Sequence, residues 1–397
     1  SINDGAYTES TNSSYTFTGL NEKTNYSIKV KVVDTLERES NVYSLSVTTD
    51  AYVLPRVTNV STSSTDSSIT INISATGGTG NVVKYYYSKD NGSNYVESTS
   101  SSYTFNNLTS NATFYVKVYV KDSNNRESSV SATSIATKLS IADYVKSQYT
   151  GTQGSNGIYY HSSTLTNGAG DNSYRYAGAN PNNYVCFGST QSPCPENNLY
   201  RIIGVFGDKV KLIKSTSVGN KAWDSNNNNT WSTSSLNSYL NNEFINAFDE
   251  TTKGKIADTT WSVGGFYSFR QPAKPVYQHE INSSPSVNNK IGLMYVSDYM
   301  YAAPQDKWTL VGYNNDASKD YRAATGVNWM YLGTIEWTIS RLDDKSYLAF
   351  FVDSTGDVNG GNVSYYVNGV RPVFYLTSSM NYASGSGSAT DPIRMTD

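Results

Sequence analysis

The chain has 397 residues, too many for one compact unit and enough for two or three domains. Only 16% of them are charged, the formal net charge is −3 and no basic run occurs, which excludes the electrostatic footprint of a nucleic-acid partner. No stretch approaches the ~20 consecutive apolar residues of a membrane span, so no membrane insertion is expected. The 34 tyrosines and the loops crowded with Ser, Thr and Asn give a neutral surface of hydroxyls and amides, of a kind frequent outside cells.

In chain order, "SSYTFTGLNEKTNYSIKVKV" returns as "SSYTFNNLTSNATFYVKVYV". An offset of 88 positions pairs Tyr7 with Tyr95, Phe17 with Phe105, Leu20 with Leu108, Asp34 with Asp122 and Arg38 with Arg126 without a gap. Apolar residues alternate in each copy (Tyr26, Ile28, Val30, Val32; Phe114, Val116, Val118, Val120), the period of a half-buried antiparallel strand. The second copy adds a strand after Pro55, the alternating "SSITINISAT" with Ile69, Ile71 and Ile73 on one face, a "GGTG" inter-strand loop and "VVKYYYS". Several short strands between turn signals predict a β-sandwich.

The spacing L-x5-Y at Leu20 and Tyr26 resembles the bacterial fibronectin type III module, in which the tyrosine hydroxyl bonds back to the corner before its strand. Phe114 replaces the tyrosine in the second copy, where that bond is expected to be lost. Residues 1–50 therefore read as a truncated fibronectin-like repeat and 51–139 as a fuller one. Ser1 aligns with Lys89, so the first copy lacks roughly forty residues that the second has, and it should expose sheet edges and an apolar face. The first residues do not read as a signal peptide and the C-terminal end shows no wall-sorting or lipidation pattern, so any leader or anchor is expected upstream.

Residues 140–150 read as a short helical joint, with Ser140 placed to cap a helix whose Ile141, Tyr144 and Val145 share a face. Within 151–397, Cys186 and Cys194 in "CFGSTQSPC" read as a small disulfide loop, with two free buried thiols as the alternative; too few Cys and His exist for a four-ligand metal site. "LYRIIGVFGDKVKLIKST" predicts a hairpin turning at Gly207-Asp208. In "WSTSSLNSYLNNEFINAF", Leu236, Tyr239, Leu240, Phe244 and Phe248 predict a helix on the sheet. "KIGLMYVSDYMYA", "EWTISR", "YLAFFVDSTGDVN" and "GVRPVFYL" are short and strand-like, apart from a helical turn at Asp298 to Ala302. The expected fold class is mainly β: sandwich repeats followed by an α+β domain.

The ordered set "YRIIGVF", "VKLI", the "S-L-x2-YLN" helix, "IGLMY-x-SDY", "VRPVFYL" and "GSATDPI" resembles an uncharacterised domain at the ends of surface proteins of Gram-positive bacteria, over roughly residues 184 to 395. Through its late "EW" and "GVRP" strands that domain is in turn similar to the C-type-lectin-like fold of formylglycine-generating enzymes and retroelement receptors. The enzymes use cysteines late in the domain; here both precede the hairpin, so that chemistry is not carried over.

His161 and His279 have no metal-spaced neighbour, and no nucleophile elbow or phosphate loop occurs. Asp224, Glu243, Glu336 and Asp353 could supply a glycosidase pair, although solvated or capping carboxylates are the commoner case. "DSTGDVNGGN" offers Asp353, Asp357 and Asn359 as calcium oxygens, but lacks the Gly and Glu of an EF-hand loop, and a hairpin turn explains it equally well. No other cofactor is expected. All six tryptophans lie beyond the repeats. Trp261 and Trp337 read as core; Trp223, Trp231, Trp308, Asn328, Trp329 and Tyr331, flanked by polar loops, read as a surface on which sugar rings could stack. The expectation is an extracellular bacterial surface protein without enzymatic activity, whose sandwich spacers present a lectin-like adhesin head to a glycan or a surface protein of a host or neighbouring cell. A glycan or cell-wall hydrolase and a self-assembling surface-layer or filament subunit are the alternatives.

Overall fold

The computed structural model describes residues 1–397. Two compact units result: Ser1–Ser64, Ser68–Leu108 and Thr113–Ala136 form the first, and Thr65–Ser67, Thr109–Ala112 and Thr137–Asp397 the second.

In the first unit, strands β1 (Asn25–Val30) and β2 (Tyr43–Thr48) belong to the first copy and make a two-stranded antiparallel sheet. The second copy supplies β3 (Arg56–Ser64), β4 (Ile69–Thr76), β5 (Val82–Ser88), β6 (Val96–Ser98), β7 (Ser102–Phe105), β8 (Thr113–Asp122) and β9 (Ser131–Ala136). They form sheets in the order β3-β4-β7 and β6-β5-β8-β9. Alternation does the rest: Ile69, Ile71 and Ile73 of β4 and Val116, Val118 and Val120 of β8 all point into one buried core with Tyr87. The "GGTG" loop is indeed a strand connection, and a Cβ on Gly78 would stand 2.3 Å from the Val53 carbonyl oxygen.

The tyrosine corner expected at Leu20 and Tyr26 is present, with the Asn21 N–H donating to the Tyr26 hydroxyl at 2.8 Å. A second latch is common to both copies. The Thr49 hydroxyl donates to the Asn21 carbonyl at 2.5 Å, and Thr137, its repeat partner, donates to the Thr109 carbonyl at 2.6 Å.

The second unit opens with helix α1 (Ile141–Ser147), capped as expected by Ser140, whose hydroxyl accepts from the Asp143 N–H at 3.0 Å. Ile141, Ala142 and Val145 join the main core, while Tyr144 stacks on Tyr382 at 3.9 Å. The helix is therefore a working part of this unit rather than a separate joint. There follow β10 (Ile158–Tyr160), β11 (Tyr174–Tyr176), β12 (Tyr184–Cys186), β13 (Leu199–Phe206), β14 (Lys209–Lys214), β15 (Asn220–Lys221), α2 (Ser235–Ser238), α3 (Glu250–Gly254), β16 (Thr259–Ser262), α4 (Ala273–Asn282), β17 (Ser286–Asn289), β18 (Ile291–Gly292), α5 (Val296–Tyr301), β19 (Glu336–Arg341), β20 (Leu348–Val352), β21 (Val358–Asn362), β22 (Asn368–Gly369), β23 (Val373–Tyr375), β24 (Asn381–Ser384) and β25 (Arg394–Thr396). One sheet runs β10-β11-β13-β14-β23-β18, with β12 also on β13; another runs β15-β22-β19-β20-β21. The unit is α+β.

The β13–β14 hairpin turns at Gly207 with φ 67°, as read from the sequence. Helical backbone continues from α2 through Tyr239–Phe244 to Ala247, burying Leu236, Leu240 and Ile245 while Phe244 and Phe248 stay half-buried. "GVRPVFYL" gives two strands rather than one, since Pro372 cannot donate to a ladder. Arg371 between them turns inward to bond Glu336 at 2.7 Å and the Met330 carbonyl at 2.7 Å, both side chains buried. Cys186 and Cys194 are joined in a disulfide.

Candidate functional site

The expected stacking surface is not at the surface. Trp223, Trp231, Trp308 and Trp329 are all buried, as are Trp261 and Trp337. The Trp223 indole N–H donates to the Thr338 carbonyl at 3.0 Å, that of Trp308 to Ala303 at 2.7 Å, and that of Trp329 to Tyr176 at 2.8 Å. Once a carbonyl satisfies its single donor, an indole gains most from full burial. Trp231 packs edge-on against Trp223 at 5.2 Å. Asn328 is buried too, donating to the Tyr299 carbonyl at 2.8 Å, and the half-buried Tyr331 donates to the Ser354 carbonyl at 2.7 Å.

The polar flanks that made these tryptophans look exposed hold up the backbone instead. In "KAWDSNNNNTW", the Asp224 carboxylate accepts from the N–H groups of Asn226, Asn228 and Ser235, each at 3.0 Å. Asn229 is buried and donates to the carbonyls of Leu342, Lys345 and Leu348.

The four acids weighed as a hydrolase pair are each held differently, although Glu336 stands opposite Val352, the neighbour of Asp353. Asp224 is a turn ligand; Glu243 is exposed on its helix; Glu336 is sealed against Arg371, and burial raises its pKa above the ordinary carboxyl range. Asp353 accepts from the Thr355 N–H at 3.0 Å in the turn between β20 and β21. That turn accounts for the residues considered for calcium. Asn359 accepts from the Gly360 N–H at 3.0 Å, and Asp357, nearly buried, has its pKa raised by desolvation and then by Asp353. The second strand of this hairpin is "VNGGN". His161 is fully buried: Nδ1 accepts from the Ala169 N–H at 3.0 Å, and desolvation pushes its pKa far down, so it is neutral.

Trp308 and Trp329 nonetheless mark a site from behind. A cleft of about 440 Å³ opens between the loop ahead of β10, the loop after β11 and Pro304 beyond α5; Asn156, Tyr159, Gly178, Asn180, Pro181 and Asn182 are among its lining residues. Trp308 meets Tyr159 edge-on at 5.2 Å, and Trp329 holds the Tyr176 carbonyl at the foot of the loop. Arg201 lies between the rings of Tyr184 (4.3 Å) and Trp329 (4.4 Å) and donates to Asn183 at 2.8 Å and to the Pro181 carbonyl at 3.4 Å. The rim is fixed as well: Asn156 donates to the Gln148 carbonyl at 3.0 Å, and the Tyr159 hydroxyl closes over Gly154, where a Cβ would come within 2.5 Å of it.

The cleft lining is polar, yet contains no Asp, Glu, Lys, Arg or His. The exposed amides of Asn180 and Asn182 form no hydrogen bond within the protein and are free to donate and accept. Sequence reading passed over these residues because "AGANPNN" carries only the marks of a loop.

Residues 207–378 match the family described as Domain of unknown function (DUF6273). No curated protein matches the chain. Among solved structures the chain is similar to FN3tt mut, at 15% identity over 21% of this chain and 97% of that one, with a TM-score of 0.19. Domains d3–d4 of the rat CD45 extracellular region match at 15% identity over 34% of this chain and 74% of that one, with a TM-score of 0.21. The PKD1 domain of Vibrio anguillarum Epp matches at 16% identity over 22% and 99%, with a TM-score of 0.18. The N-terminal part is built of antiparallel sheets, two of which pack as a sandwich, and residues 207–378 carry the DUF6273 match. No helix is long and apolar enough to cross a membrane, and the disulfide fits an oxidising, extracellular compartment.

Proposed function

We propose that this is an extracellular bacterial surface protein in which sandwich modules serve as spacers and the C-terminal unit is a binding head for a neutral glycan. One observation carries the reading: the cleft at Asn156, Tyr159, Asn180 and Asn182 has polar groups throughout and nothing ionisable apart from tyrosine. Sugar hydroxyls pair with amides and backbone groups, and sugar C–H faces rest on tyrosine and proline. Glycoside hydrolysis needs two carboxylates, and none lines this cleft. The head is accordingly read as a binder and not an enzyme, and its C-type-lectin-like character remains part of the proposal.

The test is a glycan array probed with the full chain beside Tyr159→Ala and Asn180→Ala. Wild type should retain neutral oligosaccharides, and each variant should lose about tenfold in affinity, the worth of roughly one polar contact. Absence of binding, together with release of reducing ends from a polysaccharide, would hand the function to the hydrolase reading.

One feature favours a second reading, a self-assembling surface subunit. Leu45 and Val47 of β2 and Val32 beyond β1 stand exposed on the first copy. Concentration-dependent oligomers in sedimentation experiments, lost in Val47→Asp, would support it.

A further inference from the structure

Buried cations in the second unit come with partners. Arg175 bonds Asp171 at 2.6 Å, Lys211 bonds Asp298 at 2.5 Å and Arg371 bonds Glu336 at 2.7 Å. Arg201 has no carboxylate but lies between two rings and meets three oxygen acceptors. Lys214, at the end of β14, departs from this rule. It is 5% exposed, its ammonium donates only to the Asn197 carbonyl at 3.1 Å, and it belongs to no ion pair. An ammonium has three donors, and two here are unspent.

Those donors face an opening. A cleft of about 550 Å³ is lined by Lys214 together with Asn197, Tyr200, Thr216, Phe244 and Phe248, and it shares no lining residue with the cleft described above. The Tyr200 ring stands 5.3 Å from the ammonium, and the half-buried Phe244 and Phe248 add an apolar wall. The side chains of Asn197 and Thr216 are exposed and form no internal hydrogen bond. Two carboxylates lie near. Asp249 is committed to capping α3, accepting from the Thr252 N–H at 2.9 Å and its hydroxyl at 2.8 Å, while Glu196 is exposed and acts on Lys214 only at a distance.

We infer that this cleft is a second binding site, for a carboxylate carried on a sugar-sized ring, of the kind a hexuronic acid unit of an acidic polysaccharide presents. The carboxylate takes the two free donors of Lys214 as charge-assisted hydrogen bonds, the ring lies against Phe244 and Phe248, and its hydroxyls reach Asn197 and Thr216. Burial lowers the Lys214 pKa by desolvation, and an arriving anion restores the favour for its charged form. The site stands independently of the neutral cleft, so either can fail alone.

Saturation-transfer NMR on the full chain, with glucuronate, glucose and cyclohexanecarboxylate as probes, tests it. Glucuronate should bind at least about tenfold more tightly than either comparison probe, and Lys214→Met should abolish the difference from glucose. Should that variant lose its fold, Thr216→Trp, which fills the mouth from an exposed position, must also abolish glucuronate binding. Equal binding of glucose and glucuronate overturns the carboxylate, equal binding of cyclohexanecarboxylate overturns the sugar, and glucuronate binding that survives in Thr216→Trp or in folded Lys214→Met overturns the site.

Discussion

Val30 and Val118 hold the same place in the two copies, on matched strands with the same alternation, yet Val30 is 50% exposed and Val118 0%. One step along, Val32 is 70% exposed and Val120 0%. Pairing with the following strand is common to both, β1 with β2 and β8 with β9, but β8 is also bonded on its other side to β5, where β1 has only a single bridge from Ile2. The layer opposite differs as well. Over β8 stand Ile69, Ile71 and Ile73 of a second sheet, whereas β1 and β2 form a sheet of two strands with no such layer. A period-2 pattern thus states which face is apolar, while burial is conferred by whatever packs on that face.

Hydrogen exchange should separate the copies most. Amides of β8 should outlast those of β1 by about a thousandfold, because the latter open without disrupting a core. Equal protection would mean that β1 is covered.

The same effect of an opposing layer reaches Glu280, fully buried in the second unit near Asp298 and Lys211, where desolvation lifts its pKa to about 7 against an ordinary 4.5. A carboxyl with a raised folded-state pKa contributes its full stability below the unfolded value and loses it as pH climbs through the folded one. Relative to wild type, Glu280→Gln should therefore gain about 3 kcal/mol between pH 4.5 and 7.5, read from denaturant unfolding at both values. A constant difference would refute the shift.

Smaller effects sharpen the contrast. Val118→Ala removes buried methyl groups and should cost about 2 kcal/mol, while Val30→Ala should stay within about 0.5 kcal/mol. Smaller than the Val118 effect, Tyr26→Phe gives up the bond from the Asn21 N–H and should weaken the first copy by about 1 kcal/mol, visible as faster exchange at Asn21.

Local signals were legible. The repeat, the alternating strands, the turn at Gly207, the Ser140 cap and the Cys186–Cys194 pair each depend on residues close in sequence, or on copies of one pattern. The site was not legible, and the tryptophans show why. Polar neighbours around Trp223 suggested exposure, but Asp224 spends its carboxylate on the backbone of its own loop, and Asn229 spends its amide far along the chain, bonding the Leu342 carbonyl at 2.8 Å. The cleft lies one layer outside Trp308 and Trp329, in loops whose Gly, Asn and Pro look like any connection. Lys214 hid for the converse reason: on an apolar strand its charge reads as a solvated end, and only the missing carboxylate gives it meaning.

The uncharged lining at Asn180 and Asn182 has a consequence for where such a head could work. Dissolved ions weaken attraction between fixed charges, and protons alter groups that titrate; amides and rings offer neither a handle. A partner seated there would be gripped alike in brackish and fresh water, and alike on a sour or a neutral surface.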